Sequence, residues 1–230
     1  MVGMHLFLLL LAPVLAVAQA GLPADWKKAR DAQDREALDR IAAAATEQAK
    51  AGGAPALYRA ALAQSLRSEV AMEQRDKGAA GEAAQTGIKL AERAVELQPN
   101  SGEYHRLLGT LCGQVIPANV MLGLRYGRCA LDEVSKAMEL EPKSALVWMS
   151  RGVGNYYLPA SFGGGAEKAL EDFRKAAELD PRNAEVQLWL GITLRKLNRN
   201  AEARAALESS LKLNPARKWA REQLEKTPAQ

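Results

Sequence analysis

The chain has 230 residues, 48% of them hydrophobic, 25% charged and 5% aromatic, with two cysteines, two histidines and a formal net charge of +4. That is enough apolar side chain to bury a core, which excludes wholesale disorder. Alanine supplies 43 positions, set among Leu, Glu, Lys and Arg, a mixture that favours helices and disfavours a β-sandwich or barrel. Two cysteines are too few for a disulfide-stapled mini-domain, and after the N-terminus no stretch nears 18 unbroken apolar residues.

Leu6 to Leu11, then Ala12, Val14, Leu15 and Val17, form a short apolar run ending in Ala18-Gln19-Ala20, the small-x-small pattern of a signal peptidase site. Residues 1–20 are therefore expected to be a signal peptide and the mature chain to be exported, periplasmic or secreted. No Lys or Arg precedes the run, so an uncleaved membrane anchor is the alternative. Residues 24–50 read as a helix or helix pair stopped at Gly52-Gly53-Ala54-Pro55. A long helix over Ala56–Asp76, a break at Gly78–Gly81 and a second helix ending at Pro99 follow.

From there a repeat organises the chain. Ala94-Val-Glu-Leu-Gln-Pro99, Ala137-Met-Glu-Leu-Glu-Pro142, Ala177-Glu-Leu-Asp-Pro181 and Ser210-Leu-Lys-Leu-Asn-Pro215 end alike, with prolines 43, 39 and 34 residues apart. In the last unit Leu188, Leu190, Gly191 and Leu194 mark the packing side of one helix, and Ala203, Leu207, Ser210 and Leu211 that of a second. Gly191 and Ala203 fall where the two helices approach most closely. Each proline stops its helix, having no N–H to donate. Lys218 to Lys226 supplies one more amphipathic helix, Trp219 and Leu224 inward, to cap the open end.

Leu190, Gly191, Ala203, Leu207 and Pro215 resemble the tetratricopeptide repeat pattern, as do Gly152, Ala169, Phe173, Ala176 and Pro181, and Leu108, Gly109, Ala130, Ala137 and Pro142. The resemblance implies an all-α solenoid of antiparallel helix pairs in one domain over 21–230. It comprises divergent N-terminal helices over 24–99, units over 102–144, 145–183 and 184–217, and a capping helix over 218–226.

Two insertions depart from the simple repeat. Tyr156-Tyr-Leu-Pro-Ala-Ser-Phe-Gly-Gly-Gly165 puts Pro159, Phe162, Gly163 and Gly164 between paired helices. Leu158 and Phe162 are expected to tuck this loop against the neighbouring unit, with anion binding or a partner-binding edge as alternatives. Its proline, aromatic and paired glycines ahead of a Lys-Ala-Leu helix resemble the periplasmic T-component proteins of solute-binding-protein transporters and, more distantly, the regulator-of-microtubule-dynamics family. The first resemblance implies a non-enzymatic bacterial periplasmic scaffold that docks another protein. The second insertion, Ile116 to Leu124, lies between Cys112 and Cys129, whose positions in the hairpin allow either a disulfide or two buried thiols.

Nothing in the sequence suggests catalysis, a cofactor or a metal. After signal cleavage His105 is the sole histidine, it sits at a packing position, and no Cys-x-x-Cys spacing occurs. Binding is the expected role. First helices line the concave side of such a stack, which gives a hypothetical groove of Arg106, Thr110, Met149, Val153, Tyr156, Tyr157, Leu188, Ile192 and Arg195, suited to another protein or peptide. A carrier or sensor of a small apolar or anionic ligand is the alternative, as is a groove covered by the N-terminal helices. Residues 195–230 carry nine basic groups against four acidic, a net +5 that could touch a membrane surface weakly; nucleic acid is not expected.

Overall fold

The computed structural model describes residues 22–118 and 121–229, so the expected signal peptide lies outside the described residues. Among those residues there are eleven α-helices and no strand: α1 (Ala24–Ala32), α2 (Arg35–Ala49), α3 (Ala54–Glu73), α4 (Lys77–Leu97), α5 (Gly102–Val115), α6 (Leu122–Leu140), α7 (Ala145–Tyr157), α8 (Ala166–Leu179), α9 (Ala184–Lys196), α10 (Asn200–Leu213) and α11 (Lys218–Glu225). Four antiparallel hairpins, α3–α4, α5–α6, α7–α8 and α9–α10, stack in chain order. The first helices α3, α5, α7 and α9 adjoin one another along the inner side. The architecture is a tetratricopeptide-like α-solenoid.

The last three hairpins each start at a side-chain cap. Ser101 Oγ accepts from Tyr104 N at 3.3 Å, Ser144 Oγ from Val147 N at 3.4 Å, and Asn183 Oδ1 from Glu185 N and Val186 N at 3.1 and 3.2 Å. Each satisfies amides that have no helical partner, a device that contributes about 1 kcal/mol. The small residues set the hairpin spacing. A Cβ on Gly191 would stand 2.4 Å from Leu207 Cγ, and one on Gly152 2.7 Å from Phe173 Cε1. Ala60, Ala61 and Ala63 let α3 sit deeply buried between α2, α4 and α5.

The break expected at Gly78–Gly81 lies instead at Gln74–Asp76. Arg75 takes a left-handed backbone (φ 64°), and Asp76 Oδ1 caps α4 by accepting from Ala79 N at 3.0 Å. That cap fixes the start of the helix, and both glycines fall inside it. Residues 24–50 form a pair, α1 and α2, with Gln33 left-handed between them (φ 56°) and Asp34 capping α2.

The 158–165 loop also differs from expectation. Its backbone closes on itself: Gly164 N donates to Pro159 O at 3.1 Å and Gly165 N to Asn155 O at 2.9 Å, while Lys168 Nζ holds Gly163 O at 2.8 Å. Gly163 and Gly165 have φ of +87° and +111°, and a Cβ on Gly164 would stand 2.3 Å from Leu158 O. Held by these bonds, the loop needs no apolar anchor, and Phe162 points outward, 76% exposed rather than tucked.

The N-terminal helices do more than extend the stack. α1 packs on α2 and α3 and also touches α11, so the first and last described helices meet.

Candidate functional site

That meeting is built on Arg217. Prolines 99, 142, 181 and 215 are each followed two residues later by Ser101, Ser144, Asn183 and Arg217. The first three cap a helix; the fourth makes no cap bond and turns its guanidinium inward, 0% exposed. It donates to Glu69 at 2.7 Å, to Glu185 at 3.1 Å and to Glu73, with Asp31 3.9 Å away. Arg30 of α1 bonds Asp31 at 2.7 Å and pairs with Glu185 at 3.1 Å, and Asn214 donates to Asp31 at 2.9 Å. Carboxylates from α1, α3 and α9 thus share two arginines, one from α1 and one from the start of α11.

The electrostatics follow from burial and pairing. Burial pushes the Glu69 carboxyl up to about 7, against the pull of Arg217 and Arg30, with Glu73 and Glu185 adding repulsion. Glu73 rises for the same chief reason. Burial acts to raise Asp31 too, but Arg30 and the bonds from Lys27 and Asn214 outweigh it and hold the carboxyl below its ordinary value. For Arg217 burial disfavours the charge, yet Glu185, Glu73 and Glu69 together drive its pKa higher still. The cluster is largely buried and cross-linking, and it joins sequence segments 144 to 187 residues apart.

Farther along the inner side the first helices are stitched by polar contacts. Tyr58 Oη donates to Glu103 at 2.8 Å, Arg106 grips both oxygens of Glu103 at 2.6 Å, and Arg106 reaches Ser150 Oγ at 3.1 Å. Thr110 donates to the Arg106 carbonyl at 2.9 Å. Arg106 is therefore a buried structural ion pair, not a groove-flanking cation. Leu188 and Ile192 are buried with Leu207 and Ala220 under the capping helix, and Arg195 binds Gln223 Oε1 at 2.7 Å and the Gln223 carbonyl at 2.9 Å. These residues of the expected groove hold the stack together.

The remainder converge. Met149, Val153 and Tyr156 are half-buried and Tyr157 is exposed. Tyr156 meets Tyr157 edge-on at 5.1 Å and Trp189 at 5.7 Å; Trp189 in turn meets Trp219 at 5.5 Å. Lys196 Nζ lies 4.0 Å over the Tyr156 ring and donates to the Tyr156 carbonyl at 2.7 Å. Edge-to-face rings and a cation over a π-face each add stabilisation beyond their area. This aromatic wall on α7, α9 and α11 is the best-formed candidate site. Trp189 and Trp219 stand outside the groove that the repeat register gives, although Trp189 lies on the same helical stripe as Glu185 and Lys196.

Cys112 and Cys129 form a disulfide joining α5 to α6, with Cα atoms 6.0 Å apart. His105 is buried as expected, but it is also bonded: Nδ1 lies 2.6 Å from Glu133 and Nε2 2.9 Å from the Pro99 carbonyl. Among the described residues no group of three His, Cys, Asp or Glu side chains could hold a metal ion. A shallow open hollow of about 360 Å³ lies on the outer side between Leu170, Arg174, Leu197 and Arg199, with Glu167 and Glu171 at its rim. Of the nine basic C-terminal groups, Arg217 is buried, Arg195 is bonded inward and Arg204 holds the Thr227 carbonyl at 2.8 Å, so the segment is less of a free basic surface than its sequence suggests.

The fold is that of a tetratricopeptide-like α-solenoid. Residues 164–224 match the tetratricopeptide repeat family model. Similar solved structures include the thermophilic TPR protein TTC0263 of Thermus thermophilus, at 21% identity and TM-score 0.58, covering 88% of this chain and 98% of that one. The HusA haemophore of Porphyromonas gingivalis is similar at 16% identity and TM-score 0.56, covering 77% of this chain and 96% of that one. No curated protein matches the chain by sequence.

Proposed function

We propose that the chain is an exported, non-enzymatic scaffold that holds a segment of another protein against the aromatic wall of α7, α9 and α11. The observation that carries this reading is the half-exposed cluster of Tyr156, Tyr157, Trp189 and Trp219 with Lys196 beside it. Tyr and Trp are the residues that most often dominate binding at protein interfaces, because each combines a large apolar face with a polar edge. Export is supported by the Ala18-Gln19-Ala20 pattern and by the Cys112–Cys129 bond, which persists in an oxidising compartment. The sequence around Pro159, Phe162 and Gly163-Gly164 resembles the T-component proteins, which makes a periplasmic solute-binding protein the first partner to try.

The deciding experiment is in-cell crosslinking followed by purification of the exported protein, wild type beside Tyr157→Ala/Trp189→Ala. A stoichiometric protein partner that the double variant loses supports the proposal; a partner retained unchanged sinks the aromatic wall as its seat. A second reading is a carrier of a flat apolar anion, which the clustered rings and Lys196 also suit, and one similar structure is named a haemophore. Native mass spectrometry of the purified chain, with added haemin as probe, separates the two: a bound small molecule and no protein partner favours the carrier.

A further inference from the structure

The four most exposed large apolar side chains among the described residues are Leu124 at 81%, Phe162 at 76%, Met121 at 67% and Tyr157 at 59%. All four lie at one edge of the solenoid. Helices α5 and α7 adjoin and run the same way, so the chain leaves both at that edge. Met121 and Leu124 stand at the start of α6, Tyr157 at the end of α7, and Phe162 in the loop between α7 and α8. Exposed apolar groups scattered singly are ordinary, but a set concentrated on two adjacent connections marks an interaction edge.

The charge there is mainly positive, although Glu167 at the start of α8 and Asp132 in α6 border it. Residues 104–131 and 142–166 contain no Asp or Glu. Arg125 and Arg128 flank Leu124, Lys168 stands beside the Phe162 loop, and Lys196 lies at the end of the neighbouring α9. Arg128 pairs with Asp132 at 3.1 Å where both are largely exposed, a pair weak enough for phosphate to replace. Phe162 is presented by a backbone already fixed through Gly164 N to Pro159 O and Lys168 Nζ to Gly163 O, so seating it costs little ordering.

We propose that this edge seats the protein on an anionic lipid surface, with Leu124 and Phe162 entering the headgroup region and Arg125, Arg128 and Lys168 meeting lipid phosphates. An anionic bilayer fits better than an acidic protein for a geometric reason. The apolar side chains project from separate connections, whereas a partner helix or strand needs a continuous trough. A bilayer takes projecting apolar groups individually and rewards nearby cations, each felt within a Debye length of the surface. The edge shares Tyr157 and Lys196 with the aromatic wall, but the proposed contact rests on Leu124, Phe162, Arg125, Arg128 and Lys168 and uses nothing of the basic C-terminal segment.

The test is flotation of the mature chain with vesicles of phosphatidylglycerol and phosphatidylcholine, and with phosphatidylcholine alone. The chain should float with the anionic vesicles only, and Leu124→Ser/Phe162→Ser should weaken partitioning at least about tenfold, since each side chain loses the burial of a full Leu or Phe. Arg125→Glu/Arg128→Glu should weaken it comparably, and added salt should do the same. These side chains are exposed, so circular dichroism should show all variants folded. Absence of binding to anionic vesicles overturns the proposal. So does binding that both edge variants leave intact while Lys218→Glu/Arg221→Glu abolishes it, because the C-terminal segment would then be the contact. Empty vesicles combined with photocrosslinks from position 162 to a protein in cells would assign the edge to an acidic protein instead.

Discussion

Asn214 Nδ2 donates to Asp31 Oδ2 at 2.9 Å, joining the end of the fourth hairpin to the first described helix across 183 residues of chain. Repeat solenoids ordinarily contact only their neighbours, so that each unit adds its own increment to stability. Here the two ends are tied, by this bond and by Arg217, which lies among Glu69, Glu73, Glu185 and Asp31. The tie brings α1 against α11 and links both ends of the stack directly.

Removing Arg217 should therefore cost far more than a cap. Arg217→Met keeps the volume but leaves Glu69 and Glu73 without their main counter-ion, and breaking a buried pair in this way costs about 3–5 kcal/mol. Urea denaturation should show that loss. The triple variant Arg217→Met/Glu69→Gln/Glu73→Gln should recover much of it, since the stranded charges are gone. If Arg217→Met unfolds at the wild-type midpoint, the cluster does not hold the ends together.

Stability should also depend on pH with a stated sign. Glu69 is pushed up to about 7 by burial, while an unfolded Glu titrates near its ordinary 4.5. Between those values the folded chain keeps a proton that the unfolded chain has released, so stability falls as pH rises through this window and stays low above it. Raised Glu73 acts in the same direction. Asp31 acts oppositely and only in acid: its lowered pKa lends stability above its ordinary 3.8 that is lost on further acidification. Thermal midpoints should therefore decline from about pH 5 to about pH 7.5. Glu69→Gln should flatten that decline while leaving the acid limb intact; an unchanged slope would show that Glu69 is not the titrating group.

The disulfide carries a regional prediction. In α6 only Val134 and Ala137 are buried; its first half packs on the core through half-buried Leu122, Tyr126, Cys129 and Ala130, so the disulfide adds a covalent hold where burial is weakest. On the chain-entropy model a loop of this length contributes about 3 kcal/mol, or roughly 6–12 °C in a domain of this size. Reduction, or Cys112→Ala/Cys129→Ala, should lower the melting temperature by that order and speed amide exchange around 122–130. Exchange in α9 and α10 should hold. Uniform acceleration along the chain would mean that the bond stabilises the whole fold and not that hairpin.

Much of this fold is legible in the sequence, and the reason is local. Gly191 with Leu207, Ala203 with its neighbours and the stopping prolines follow from helix spacing within one unit, which periodicity reports directly. What periodicity does not report is the meeting of distant units. Arg217 reads as one more surface cation until its position is compared with Ser101, Ser144 and Asn183, the caps of the other units; a missing cap is the signal the sequence offers. Arg106 does lie on the inner face, but its partner Glu103 sits three residues away on that same face and consumes it. The inner-face register of the repeat omits Trp189, whereas the capping helix buries Leu188 and Ile192 and leaves the Trp half-exposed.

Gly191 offers the sharpest check on the hairpin geometry. Its missing Cβ would lie 2.4 Å from Leu207 Cγ and 3.0 Å from the Ala203 carbonyl, the first near the root of a fully buried side chain and the second on backbone that cannot turn away. In an exposed helix Gly→Ala gains up to about 1 kcal/mol of propensity. Here overpacking, at about 1–3 kcal/mol, outweighs that gain. Gly191→Ala should therefore destabilise, while Gly154→Ala, at a helical glycine with nothing within 4 Å of the added Cβ, should stabilise slightly. Leu207→Ala should relieve the clash, so that the double variant loses less than the sum of the two single changes. Additive losses, or a stabilised Gly191→Ala, would mean that α9 and α10 do not approach as closely as the fold requires.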